Sequence, residues 1–98
     1  MSTYYDDSIG LEPTPARHGD TVQIKYHGLL KNSGADNVFL HYSYDGWNEP
    51  RTVPMNQSDG GFATEIRAEG NAEINFCFKD RANNWDNNNG WNWKLNIT

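Results

Sequence analysis

A segment near the C-terminal end of the 98-residue chain, residues 79–93, combines side chains that suit one class of ligand. Its sequence, KDRANNWDNNNGWNW, places three tryptophans among six asparagines. Indole rings offer flat apolar faces, and amides offer neutral hydrogen-bond donors and acceptors. A sugar ring uses both, because its C–H face can lie on an aromatic ring while its hydroxyl groups bind polar side chains at the rim. The segment therefore predicts a carbohydrate-binding loop.

Two tryptophans are expected to stand exposed for binding. Trp85 is surrounded in sequence by asparagines and an aspartate, so it has no apolar neighbours along the chain. Trp47 falls at the tip of a turn at residues 45–48, where an aromatic side chain contributes least to packing and most to recognition. Trp93 is in phase with the apolar residues of the last strand and is expected in the core. Trp91 could either extend the binding surface or pack.

His41 is a further candidate for the binding surface. It is expected on the outward face of its strand, six residues before Trp47. An imidazole there offers a flat face and a hydrogen bond, although an ordinary surface histidine fits the pattern almost as well.

Neither a cofactor, a metal ion nor catalysis is expected. The lone Cys77 and the dispersed histidines do not form a recognisable set of metal ligands, and the asparagine-rich run lacks the closing glutamate of a calcium loop. A glycosidase needs two carboxylates flanking one bond, and a nucleophilic enzyme needs an activated serine or cysteine with a base. The sequence shows neither pattern, so an enzyme is the least favoured interpretation.

The charge and cysteine content indicate the partners and compartment. A net charge of −5 disfavours nucleic acid and anionic membranes, because phosphate binding depends on clustered basic residues. No window is apolar enough to span a membrane, and the N-terminus lacks a signal-peptide pattern. The single cysteine favours a reduced compartment. We therefore expect a cytoplasmic monomer, or a secreted domain if the chain was excised from a larger secreted protein.

The hydrophobic pattern predicts an all-β fold. Short segments with period-two alternation are separated by turn-forming residues, and no helical period of any length occurs. This pattern is typical of an immunoglobulin-like β-sandwich with about seven to nine antiparallel strands. Residues 1–9 are expected to form a flexible N-terminal segment, and residues 10–98 the domain. The predicted strands are residues 21–26, 37–44, 52–55, 62–66, 72–78 and 91–97.

Four motifs, in order along the chain, carry a resemblance to a known family: GDTVQIKY at 19–26, VFLHYSYDGW at 38–47, INFCFKD at 74–80 and NWDNNNG at 84–90. Together they resemble the starch-binding carbohydrate-binding modules of family 25 and the related family 53. The resemblance covers nearly the whole chain. It implies a β-sandwich that binds α-1,4-linked glucans, such as starch, glycogen and malto-oligosaccharides, without catalysis.

The resemblance also implies which residues bind. The platform histidine corresponds to His41 and the two tryptophans to Trp47 and Trp85, with asparagines of the following loop as polar partners. We select Asn88 and Asn89 for the hydroxyl contacts and include Trp91 as a possible extension of the surface. Two other interpretations use the same exposed aromatics. One is a protein–protein interaction module, and the other is a single-stranded nucleic-acid binder, which the acidic charge disfavours.

Overall fold

The computed structural model describes residues 3–44, 46–58, 60–69 and 72–98. Within these residues the chain forms ten strands, which pair into two antiparallel sheets, and one single-turn helix. The strands are β1 Tyr4–Tyr5, β2 Ile9–Glu12, β3 Thr21–Tyr26, β4 Val38–Ser43, β5 Arg51–Pro54, β6 Asn56–Ser58, β7 Gly61–Arg67, β8 Glu73–Asp80, β9 Trp85–Asp86 and β10 Trp93–Asn96, and the helix is α1 Leu29–Asn32.

The two sheets divide the chain between them. The first sheet has the strand order β1-β2-β3-β7-β6, and the second has the order β10-β8-β4-β5, with β9 also paired to β8. Because side chains alternate across a strand, each sheet presents one apolar face to the other. The long central strands β3, β4 and β8 supply nine residues of the core, namely Val22, Ile24, Tyr26, Val38, Leu40, Tyr42, Ile74, Phe76 and Phe78.

The prediction of an all-β, immunoglobulin-like sandwich is confirmed, with ten strands among the described residues where seven to nine were expected. The alternating segments lie in β3, β4, β5, β7, β8 and β10. Five elements lie outside the predicted strands: α1, which lies in a segment expected to be a turn, and the strands β1, β2, β6 and β9. None of them is longer than four residues.

The two ends of the chain differ in detail from the sequence interpretation. Tyr4–Tyr5 pairs with β2, and Ile9 is only 1% exposed, so part of the segment expected to be flexible packs on the first sheet. The division into residues 1–9 and 10–98 stays a prediction. Trp91 was expected at the start of the last strand, but β10 begins at Trp93, which packs partly buried against the core as expected.

Several predicted turns include residues outside the described ranges. Asp45, Asp59, Gly70 and Asn71 are the residues concerned. Gly46 and Gly60, which are described, both have the positive φ angles that a turn glycine adopts readily. Within the described ranges, the single helix has four residues and no helix is long and apolar enough to cross a membrane.

Candidate functional site

The outer face of the second sheet is where β4 places His41. His41 is opposite Thr52 of β5 on one side and opposite Cys77 of β8 on the other. Its ring is fixed by a hydrogen bond between Nδ1 and the Thr52 hydroxyl, at 2.7 Å. The imidazole is therefore held in one orientation by a neighbouring strand.

Two tryptophan rings contact this imidazole. The Trp47 indole stacks with it at 5.5 Å between ring centroids and 15° between ring planes. The Trp85 indole meets it at 5.2 Å and 78°, which is an edge-to-face contact. We call these three side chains, His41, Trp47 and Trp85, the aromatic platform. It joins residues from a central strand, a turn and an edge strand into one surface.

Trp47 is held at the end of β4 by its backbone. Its φ angle is +74°, a left-handed conformation that is uncommon for a large side chain. Its amide donates a hydrogen bond to the hydroxyl of the fully buried Ser43, at 3.0 Å. The turn therefore fixes the direction in which the indole leaves the sheet, although its backbone conformation has an energetic cost.

Trp85 is positioned by the tight turn that joins β8 to β9. The carboxylate of Asp80 accepts hydrogen bonds from the Ala82 amide at 2.9 Å and from the Asn84 amide at 2.8 Å. It also accepts one from the Asn84 side chain at 2.9 Å. Hydrogen bonding by Asn84 lowers the pKa of Asp80, so the carboxylate remains an ionised acceptor. Trp85 follows this turn directly and pairs with Lys79.

Asp86 anchors the other side of Trp85 to the first sheet. The Tyr26 hydroxyl donates a hydrogen bond to Asp86 Oδ2 at 2.6 Å and accepts one from the Leu30 amide at 2.9 Å. Gly28 permits this approach, because a Cβ there would lie 2.9 Å from the Tyr26 ring and 3.1 Å from Asp86 Oδ2. Burial and the bond to Asp86 raise the pKa of Tyr26, so its hydroxyl stays protonated. One hydroxyl group therefore links β3, β9 and α1.

The asparagines after β9 build a second turn. Asn88 and Asn89 have φ angles of +56° and +58°, and Asn92 has +57°. Asparagine tolerates this conformation better than most residues, because its short polar side chain can bond locally. The Asn88 side chain does so, donating to the Asn92 carbonyl at 3.2 Å. The asparagine content is thus explained in part by backbone geometry.

Lys79 brings a positive charge beside the platform. Its Nζ lies 5.5 Å from the centre of the Trp85 ring and 5.8 Å from that of Phe39, and it bonds the Asn83 side chain at 3.0 Å. Burial lowers the pKa of His41, and the ammonium group of Lys79 lowers it further. Both effects favour the neutral imidazole. A ligand that covers a neutral ring does not have to remove water from a charged group.

Cys77 lies in register with His41 on the same face and is buried. Burial raises the pKa of its thiol to about 11, and the carboxylate of Asp86 contributes to the rise. A thiol with so high a pKa is almost entirely protonated at neutral pH, and the thiolate is the reactive form. Cys77 therefore packs beneath the surface and offers no nucleophile to a ligand.

Three of the six sequence-predicted site residues come together. They are His41, Trp47 and Trp85. Asn88, Asn89 and Trp91 lie in the exposed turn that follows, and Trp91 is 80% exposed. In the described part of the chain, Trp91 makes no ring–ring contact. No group of three or more potential metal-binding side chains occurs among the described residues.

The sequence interpretation did not identify Lys79, Thr52 and Phe39. Lys79 could have been found, because it is two residues from the outward-facing Cys77 and so shares its face. Thr52 could not, since its contact with His41 depends on the register between β4 and β5, which the pattern does not specify.

A comparison with protein families identifies the chain. The model of the starch/carbohydrate-binding module family 53 matches residues 22–76. The chain belongs to this family. The matched residues include His41 and Trp47 and end before Trp85. The module is thus a starch/carbohydrate-binding domain without catalysis, and the resemblance to family 53 is confirmed.

A known relative supports the same assignment. An alpha-amylase from Clostridium acetobutylicum is 39% identical over 80 residues, which make up 80% of this chain and 10% of the amylase. The module therefore spans only about a tenth of the length of the relative it matches. A search of solved structures gives no significant match.

Proposed function

We propose that this module binds the α-1,4-glucan chains of starch or glycogen across the aromatic platform. Trp47 and Trp85 stack on glucose rings, and His41 completes the surface between them. The observation that carries the proposal is the direct contact of His41 with both indoles. Three flat rings that adjoin one another provide a continuous surface for neighbouring sugars.

The angles between the rings favour an α-linked chain. The plane of Trp47 is nearly parallel to that of His41, whereas the plane of Trp85 is nearly perpendicular to it. A ligand that contacts all three rings must therefore bend. An α-1,4-glucan curls into a helix, whereas a β-1,4-glucan forms a flat ribbon. The platform thus complements the curved chain.

The expected affinity is modest. Stacking of a flat ring on an aromatic side chain contributes about 1–3 kcal/mol, by analogy with nucleic-acid bases. Ordering the sugar chain and losing its translational freedom offset part of this gain. Two or three such contacts correspond to a Kd between about 1 mM and about 1 µM.

The turn after β9 supplies the remaining proposed contacts. Asn88 and Asn89 are exposed and can offer amide groups to sugar hydroxyls, and the exposed Trp91 ring can extend the stacking surface. These proposed contacts are supported by the positions of the three residues, which follow Trp85 by three to six residues. The resemblance to the related family 25, which rests on the motifs around the same residues, is also part of the proposal.

The remaining partners follow from charge and sequence. We propose a monomer that binds neither nucleic acid nor membranes, and the net charge of −5 supports both exclusions. The cytoplasm is the proposed compartment and glycogen the corresponding ligand, with a secreted amylolytic protein as the alternative setting. A protein-interaction module would instead show a concentration-dependent mass in sedimentation and no response to sugar.

Two substitutions test the platform. Trp47→Ala and Trp85→Ala should each abolish the calorimetric response to maltoheptaose while leaving the thermal midpoint nearly unchanged. Tyr5→Ala is a matched control, because Tyr5 is an exposed aromatic residue on the other sheet. Its affinity for maltoheptaose should equal that of the wild type. Unchanged binding in both tryptophan variants would contradict the proposed site.

A further inference from the structure

We propose that a bound glucan continues past Trp85 into a groove between α1 and the β8–β9 turn, which forms an additional sugar subsite. This inference rests on the proposed function and extends it. It predicts that the module recognises a chain longer than the three rings can cover. The groove adjoins the platform at Trp85, which lines it.

The groove has the dimensions of a ligand site. Its volume is about 500 Å³. Pockets for small molecules span about 300–1,000 Å³, so there is room for sugar units. The side chains and backbone that the argument uses are Leu29, Ser33, Gly34, Asp80, Asn84 and Trp85, all of which line it.

Trp85 belongs to both the platform and the groove. Its ring contacts His41 at 5.2 Å, and the same residue lines the groove beside α1. The strand that carries it, β9, lies at the edge of the second sheet and packs near α1. A sugar chain that stacks on Trp85 is therefore already at the groove and need not pass over another strand or helix.

The lining of the groove suits a sugar. Leu29 is 60% exposed, which leaves an apolar side chain open on the side of α1. Polar groups also line the groove, namely the Ser33 hydroxyl, the Asn84 amide and the Asp80 carboxylate. The carboxylate accepts three hydrogen bonds from the turn. A carboxylate offers about four acceptor positions, so Asp80 retains capacity for a sugar hydroxyl.

The two walls of the groove are fixed relative to each other. The Tyr26 hydroxyl accepts a hydrogen bond from the Leu30 amide of α1 and donates one to Asp86 of β9. Leu30 also lies in the core, at 4% exposure. A groove whose walls are already tied together loses little entropy when a ligand enters, and this favours binding.

The test compares short and long oligosaccharides by calorimetry. Maltotriose can cover the platform alone, whereas maltohexaose can also enter the groove. One further contact of the stacking kind would lower the Kd by about tenfold for each 1.4 kcal/mol it adds. We therefore expect the wild type to bind maltohexaose about tenfold more tightly than maltotriose. The ratio of the two Kd values is the quantity measured.

A longer sugar chain can also bind more tightly because it offers more positions at which the platform can engage it. Substitutions in the groove separate this effect of chain length from an additional subsite. Leu29→Ala removes the apolar wall, and Ser33→Arg adds a long side chain at the entrance. Lys31→Ala is the control, because Lys31 lies on the same helix but lines a different cavity. We expect the Kd ratio to fall several-fold in the first two variants and to stay unchanged in the control, with maltotriose binding intact in all three.

The outcomes distinguish this inference from the proposed function. An equal Kd ratio in the wild type, Leu29→Ala and Ser33→Arg would contradict the proposed subsite in the groove. Loss of maltotriose binding in Trp85→Ala would still support the aromatic platform in that case. Absence of binding to both oligosaccharides in the wild type would overturn the proposed function itself. Thermal midpoints equal to that of the wild type show that the variants are folded.

Discussion

Individual polar side chains fix the rings of the platform. The Ser43 hydroxyl holds the backbone of Trp47, and the Thr52 hydroxyl holds the imidazole of His41. Both contacts come from residues without a stacking surface of their own. The rings therefore provide the surface for the ligand, and small hydroxyl groups orient the rings.

The protonation of His41 gives a pH dependence whose sign follows from its surroundings. Burial, and then the Lys79 ammonium group, lower the pKa of His41 below 6.5. The neutral Thr52 and the protonated Cys77 flank it on the neighbouring strands. Because the pKa of His41 is lower in the folded state than in the unfolded state, the free energy of unfolding is highest above pH 6.5. It decreases as the pH falls through the folded pKa.

We expect an NMR titration of His41 with a midpoint below 6.5. Glucan affinity should be constant from about pH 8 down to the ordinary range of histidine and should weaken below it, since covering a charged imidazole costs more than covering a neutral one. His41→Gln is the control and should remove this dependence. A midpoint above 6.5 would contradict the assignment of its surroundings.

The sequence indicated two of the platform rings by different signals. Trp85 was selected because its neighbours along the chain are polar, and Trp47 because it falls at the tip of a turn; in the structure both contact His41. The asparagines show the limit. A polar side chain suggests a ligand contact, but the positive φ angles of Asn88 and Asn89 are a backbone property that composition does not separate from binding.

At the scale of elements, the site depends on short segments that sequence periodicity cannot reveal. α1 has four residues and β9 has two. Both bond the Tyr26 hydroxyl, α1 through the Leu30 amide and β9 through Asp86, which is 60 residues from Tyr26 in sequence. A pattern of alternating residues predicts β3 and β8, but it contains no information about a hydrogen bond between distant segments.

Replacing the shared hydroxyl tests this arrangement. Tyr26→Phe removes the bond to Asp86 and leaves the buried Leu30 amide without its acceptor. An unsatisfied buried group of this kind costs about 1–3 kcal/mol, so the free energy of unfolding in urea should fall by that amount. Glucan affinity should fall as well, because β9 carries Trp85.

Tyr4→Phe is the matched control for this change. The Tyr4 hydroxyl also donates to a carboxylate at 2.6 Å, that of Asp6, but the bond is exposed to solvent. Water replaces an exposed bond, so the free energy of unfolding should change little. Equal losses in the two variants would show that the Tyr26 hydroxyl has no special role at the junction.

For the whole molecule, the sandwich was predictable and the shape of the binding surface was not. Alternating apolar residues such as Val22, Ile24 and Tyr26 identify one face per strand, and two such sheets must pack face to face. The same alternation places His41 on an outer face. The angle between its ring and that of Trp85 arises only when a turn, an edge strand and a central strand assemble.

The central claim is that this bent platform selects curved α-1,4-glucans, and a calorimetric comparison of maltoheptaose with cellohexaose tests it most directly. We expect maltoheptaose to bind with a Kd between about 1 mM and about 1 µM, and cellohexaose to give no heat at the same concentrations. No heat from maltoheptaose at millimolar concentration, or equal binding of cellohexaose, would contradict the account.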